Sequence, residues 1–174
     1  MKIIKEYPTL ETERTILRIL TKEDAKEVFM HFSDPIVTRF MDIEPCKDLK
    51  EAEEIIHYHE EDLGCRWGIV ERSHGIFIGT IGFHYLRHND EELIGEIGFD
   101  LSKSHWGKGY MTEVIKEIIS FGFTTMGLDT IDASVETNNQ KSIKILETFG
   151  FKRDVELRDQ LSYYSLQRWD YQPK

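Results

Sequence analysis

The sequence is poor in cysteine, proline and positive charge, and it has no long apolar run. Its two cysteines, Cys46 and Cys65, are too few for a disulfide framework and too far apart for a paired-cysteine metal motif, so both read as reduced thiols and no metal is expected. Four prolines and the lack of any low-complexity stretch exclude a proline-rich or compositionally disordered chain. The opening stretch "MKIIKEYPTLETERTILRIL" scatters charges throughout, which argues against a signal peptide or membrane span and makes the cytoplasm the expected location. Lysine and arginine number 22 against 32 aspartates and glutamates, a formal net charge of −10. Neither a nucleic-acid phosphate backbone nor a membrane is therefore an expected partner. An acidic surface favours cationic small molecules or basic protein tails.

What is present is enough for one domain over residues 1–174, with a real core. "RTILRIL" (14–20) reads as a strand containing Ile16 and Leu17, and "TKEDAKEVFMHF" (21–32) as a helix with a threonine cap and an acidic first turn. "SDPIVTRFM" (33–41) has a proline suited to opening a short helix, and residues 47–64 form a charged helix whose packed side holds Ile55, Ile56 and His59. His57 and His59 in "HYHEE" are two apart and point to different sides of that helix, which argues against a metal pair. Three β-branched runs follow at 66–72, 76–86 and 92–101, and their polar turns predict an antiparallel meander. A helix over about 108–126, a strand at 130–136, a helix at 139–149 capped by Gly150, and strands at 151–157 and 161–169 complete the chain. Trp67, Trp106 and Trp169 are expected in the core or on a crevice wall.

Strand, glycine turn, helix and strand succeed one another from residue 92. Two strands joined through a helix are normally parallel, so a mostly antiparallel sheet acquires one parallel pair near its middle, where a binding crevice is expected. The turn is "SHWGKGYMTE", residues 104–113. A helix start with unpaired N–H groups attracts anions, and glycines at 107 and 109 let a diphosphate lie against the backbone; a tight turn needing glycine explains them equally. Lys108 is followed by Gly109 rather than serine or threonine, which excludes a P-loop. Thr112 stands where the dinucleotide fingerprint has its third glycine.

"GFDLSKSHWGKGYMTEVIKEIISFGF" followed by "VETNNQKSIKILETFGFKRD" resembles the acetyl-coenzyme A site of the GNAT N-acetyltransferase superfamily. "ETERTILR" and "SDPIVTRFM" resemble its ribosomal-protein N-terminal acetyltransferase branch, of the RimL and RimJ type. The resemblance runs over nearly the whole chain. It implies an α/β (α+β) GNAT fold: a mixed, mostly antiparallel sheet of six to seven strands with one splayed parallel pair and about four flanking helices. It implies acetyl-coenzyme A as co-substrate and a primary amine as acceptor, either a protein N-terminal α-amine or a small amine such as a polyamine or amino-acid derivative. A non-catalytic acyl-coenzyme A-binding module is the alternative, and a homodimer is compatible with this branch.

The resemblance also assigns residues. Trp106, Gly107, Lys108, Gly109 and Tyr110 would hold the diphosphate, and the main chain of Phe99, Asp100 and Leu101 the pantetheine arm and thioester. Ser104 departs from the glutamine or arginine that usually opens the loop. Asn139 would bond the pantetheine amide, although asparagine is also a good helix cap. Many members place a tyrosine seven residues later, where this chain has Leu146; the ribosomal branch has serine at the position of Ser142, which would hydrogen-bond the departing sulfur. Local capping is the other reading of that serine. Removal of the amine proton falls to Glu96, on the strand feeding the loop, to His84 in "GFHYL", or to water. Neither cysteine lies in these segments, so a ternary complex without a covalent acyl-enzyme is expected.

Overall fold

Runs of β-branched and aromatic residues at alternating positions build one eight-stranded sheet among the described residues. The computed structural model describes residues 7–62 and 64–172; residues 1–6 of the opening stretch, Leu63 near the end of the expected 47–64 helix, and 173–174 lie outside them. The strands are β1 (Leu10–Glu11), β2 (Thr15–Ile19), β3 (Cys65–Glu71), β4 (Ile76–Asn89), β5 (Glu92–Leu101), β6 (Thr130–Glu136), β7 (Lys152–Arg153) and β8 (Leu161–Gln167), in the order β1-β2-β3-β4-β5-β6-β8-β7. Neighbours are antiparallel except β5 and β6, which are parallel. The helices are α1 (Ala25–Phe32), α2 (Pro35–Thr38), α3 (Leu49–Glu61), α4 (Tyr110–Phe121) and α5 (Gln140–Thr148).

This is the mixed, mostly antiparallel sheet with one parallel pair that the resemblance implies, with one strand and one helix more than the counts read from sequence. The extra strand is the two-residue β1, which pairs with β2 and is too short to show an alternating pattern. The strand expected over 151–157 shrinks to Lys152–Arg153, and Val155 is fully exposed. Helix α4 ends at Phe121, and residues 122–126 form a wider π-type turn closed by Gly127 at φ +76°. Gly122 and the β-branched pair Thr124 and Thr125 hold an α-helix poorly, which accounts for the shorter run.

Two apolar clusters fill the faces of the sheet. The larger joins α4, through Val114, Ile115, Ile118 and Ile119, to Trp67, Ile81, Phe83, Ile131 and Tyr164. The smaller packs Val28 and Phe32 of α1 and Ala52 and Ile56 of α3 with Leu20. Trp67 is fully buried, whereas Trp169 is 71% exposed on a closing turn and belongs to neither core nor crevice wall. Cys46 and Cys65 are free and buried.

Candidate functional site

The parallel pair is short. β5 and β6 are in register at Ile94/Thr130, Gly95/Ile131 and Glu96/Asp132, and beyond that rung they part. The direction of the β5 main chain follows from its fixed points. The Leu93 carbonyl accepts the Asp129 N–H at 2.8 Å, and the Leu93 N–H donates to the Asp129 carboxylate, so odd-numbered residues turn their backbone groups toward β6. Past the rung, the Ile97 carbonyl and both backbone groups of Phe99 therefore face the gap. Asp100 faces the other way: its carbonyl oxygen would lie 2.2 Å from a Cβ placed on Gly79 of β4. Leu101 faces the gap, but its carbonyl accepts the Trp106 indole N–H at 2.8 Å. Of the three residues assigned to the main-chain edge, Phe99 and Leu101 lie on it and Asp100 does not, and Ile97 joins them.

The Asp100 side chain is instead the centre of a buried ionic cluster. It receives the Thr80 hydroxyl at 2.5 Å and the Thr80 N–H at 3.0 Å, Arg66 at 2.9 Å, and lies 2.6 Å from His31 Nε2. Burial opposes its ionisation, but the bonds from His31, Arg66 and Thr80 outweigh that and hold the carboxyl at about 2. The alternation of β5 that places Asp100 with Glu96 on one face was readable; partners contributed by α1 and β3 were not.

The glycine loop leads from β5 into α4. Gly107 and Gly109 take φ +71° and +80°, a left-handed backbone that glycine alone adopts without strain. A Cβ on Gly107 would meet nothing within 4 Å, so backbone shape by itself accounts for the residue. The first bond of α4 runs from the Glu113 N–H to the Gly109 carbonyl, which leaves the N–H groups of Tyr110, Met111 and Thr112 without helical acceptors. The loop is braced by Arg14, whose guanidinium bonds the Lys108 carbonyl at 2.9 Å and Glu113 at 2.8 Å and lies over the Tyr110 ring. The Tyr110 hydroxyl donates to Glu71 at 2.7 Å. Lys141 of α5 sits 3.4 Å from the centre of the Trp106 ring, tying the two arms of the site together. Arg14, Glu71, Glu113 and Lys141 were missed in the sequence, where nothing but residue type distinguishes them from other surface charges.

A crevice of about 1090 Å³ opens through the splay. Phe99, Asn139, Ser142, Glu96 and His84 line it, whereas the loop residues Trp106 to Tyr110 lie outside its lining; the Trp106 indole N–H ties the loop back to the Leu101 carbonyl at the end of β5. Asn139 caps α5 by accepting the Ser142 N–H at 3.4 Å, so capping is a role its side-chain oxygen does perform. Glu96 and His84 face each other across β4 and β5 at 3.2 Å, which makes the two candidate bases one hydrogen-bonded pair.

The opposite wall comes from α3, the segment before it, and the start of β8, with Tyr58, His59 and Leu161 among its residues. His57 is exposed beside Glu60 and Glu61 on the other side of α3. His59 has a buried, unpartnered Nδ1, and burial, with repulsion from Arg66, lowers its pKa to about 4. Both cysteines line this crevice, contrary to their distance from the site segments in sequence. Burial raises the thiol pKa of each, so they stand as neutral thiols rather than thiolate nucleophiles.

Residues 14–152 match the family described as Acetyltransferase (GNAT) domain. The "Uncharacterized N-acetyltransferase YoaA" of Bacillus subtilis is 38% identical over 156 residues, covering 87% of this chain and 87% of that protein. The spermidine N(1)-acetyltransferase of Escherichia coli K12 is 28% identical over 141 residues, covering 81% of this chain and 74% of that protein. Among solved structures, the ribosomal-protein-S5-alanine acetyltransferase of Vibrio fischeri superposes with a TM-score of 0.75 at 20% identity, covering 96% of this chain and all of that one; at that identity it shows the fold alone. The chain belongs to the GNAT acetyltransferase family.

Proposed function

We propose that this N-acetyltransferase binds acetyl-coenzyme A across the β5–β6 splay and the glycine loop, and passes the acetyl group to a primary amine in the crevice. One observation carries the reading: the free main-chain edge at Ile97 and Phe99 continues toward the open N–H groups of Tyr110, Met111 and Thr112. A thioester arm pairs with such an edge as an added strand does, and the helix start suits a diphosphate. Lys108 and Lys141 supply positive charge near that end.

The amine arrives as an ammonium, with an ordinary pKa of about 10.4, and gives its proton to the Glu96–His84 pair directly or through water. Its nitrogen then attacks the thioester carbonyl, and the carbonyl oxygen takes a hydrogen bond from the exposed β5 backbone. As the carbon–sulfur bond breaks, Ser142 donates a hydrogen bond to the leaving sulfur and relays it a proton. Transfer occurs within a ternary complex, consistent with the neutral state of Cys46 and Cys65.

Two acceptors fit the cleft. The RimL-like sequence features and the fold shared with ribosomal-protein acetyltransferases support a protein N-terminal amine. The E. coli relative supports a small amine. A thiol-release assay with acetyl-coenzyme A and a panel of peptide, polyamine and amino-acid acceptors tests the function. Release dependent on one acceptor class is expected; coenzyme A binding without release on any amine would make the protein a binding module.

A further inference from the structure

The crevice takes in more than the proposed reaction edge. Besides Glu96, the described residues that line it include six more carboxylates: Asp42, Glu44, Glu51, Glu54, Asp62 and Glu136. Among the described residues of the lining only Lys47 and Arg66 oppose them, and Arg66 is already paired with Asp100 at 2.9 Å. Glu51 and Asp62 accept backbone N–H groups from Lys47 and Gly64, and Glu54 lies 3.7 Å from Lys50. The side chains of Asp42, Glu44 and Glu136 have no hydrogen bond or ion pair among the described residues. Charge of one sign on a concave wall, left unmatched by the protein, selects a ligand of the other sign.

A second observation concerns the imidazoles. Nδ1 of His59 and Nδ1 of His84 are both buried without a partner, and both residues line the same crevice. Buried polar atoms are ordinarily satisfied, so two unsatisfied nitrogens in one cleft mark where a hydrogen-bonding ligand or its water belongs. Phe40, Met41 and Ile55 lie among the lining residues and give the cleft apolar surface suited to methylene groups.

The geometry points to an aliphatic di- or triamine as the acceptor, with at least one ammonium beyond the nitrogen that is acetylated. This deepens the acetyl-transfer reading and rests on it. The reacting nitrogen meets Glu96 and His84, the methylene chain lies along Phe40, Met41 and Ile55, and the remaining ammonium sits among Asp42, Glu44 and Glu54. A protein N-terminus offers one charge followed by neutral backbone and leaves those remote carboxylates unmatched.

The test compares spermidine, n-butylamine and an alanine-initiated peptide as acceptors for the full chain, and measures spermidine binding by calorimetry with coenzyme A present. Spermidine is expected to exceed n-butylamine at least about thirtyfold in kcat/KM, the equivalent of two matched charges. Asp42→Asn combined with Glu44→Gln is expected to raise the spermidine KM about tenfold while the KM for acetyl-coenzyme A stays in place. Equal use of n-butylamine, preference for the peptide, or an unmoved spermidine KM in the double variant overturns the inference and leaves acetyl transfer standing. If no amine is acetylated, transfer fails; spermidine binding weakened by the double variant then still supports the cation site, and absence of spermidine binding removes it.

Discussion

Glu96 and Asp132 oppose each other on the last paired rung of β5 and β6, immediately before the strands separate. Asp132 is fully buried. Arg87 donates to its Oδ2, and the Tyr163 hydroxyl donates to the same oxygen at 2.5 Å. Burial, then this bond to Asp132, pushes the Tyr163 phenol up to about 12, so it stays protonated as a donor. The apex of the splay is thus pinned by an ion pair beside Glu96, which itself meets His84.

Removing that pin should cost stability before it costs chemistry. Asp132→Ala leaves Arg87 facing a vacated, largely buried site, and a loss of about 3 kcal/mol is expected by urea denaturation. The conservative Asp132→Asn keeps an acceptor for Tyr163 and is expected to lose less. An unchanged midpoint in both variants would remove the pinning role.

Ser142→Ala tests the leaving-group role. Loss of one hydrogen bond to a developing thiolate is expected to lower kcat about tenfold to a hundredfold, with little change in the KM for acetyl-coenzyme A. Steady-state kinetics with the best acceptor read both parameters. Unaltered turnover would reduce Ser142 to a residue of the first turn of α5, where its N–H is capped by Asn139.

Gly107→Ala separates backbone shape from ligand contact. At φ +71° an alanine is strained by about 1–2 kcal/mol even though its Cβ meets open space. A fall in thermal stability is therefore expected without any ligand. If stability holds and only coenzyme A affinity falls, room for the ligand rather than the left-handed turn explains the glycine.

Acid should act in two limbs. His59 is held neutral to about 4, against 6.5 for a free imidazole, so the unfolded chain binds the extra proton between those values. Stability from this group is complete above 6.5 and falls as pH drops through 4. Asp100, held at about 2, contributes above the unfolded value of about 3.9 and its contribution is lost as pH falls through 2. His59→Gln is expected to remove about 3 kcal/mol of the loss between pH 7 and pH 4, leaving the Asp100 limb. Identical stability profiles over pH 7 to 4 would contradict the assignment to His59.

Much of the fold was legible because its signals are local. The alternating runs gave β3 to β6, the 3.6-residue pattern gave α4, and strand–helix–strand order gave the parallel pair. Elements of two residues, β1 and β7, carry no period to read. Of the candidate site, the meeting of the segments around Phe99 and around Asn139 and Ser142 at one crevice was legible, because strand–helix–strand order brings them together. The site was not legible where residues far apart converge. Arg14 meets Glu113 across 99 positions, and His31 meets Asp100 across 69. Alternation along β5 puts Glu96, Gly98 and Asp100 on one face, yet it does not show that Asp100 turns its backbone to β4. Cys65 stood outside the expected segments because distance in sequence says nothing of a wall supplied by β3.

Residue-resolved hydrogen exchange with and without coenzyme A tests the central claim most directly, because it reads the proposed cleft itself. The expected result is added protection at the Phe99 amide and at the amides of Tyr110, Met111 and Thr112, with little change in β2. Saturable binding that leaves those four amides unprotected would contradict the placement of the co-substrate in the splay.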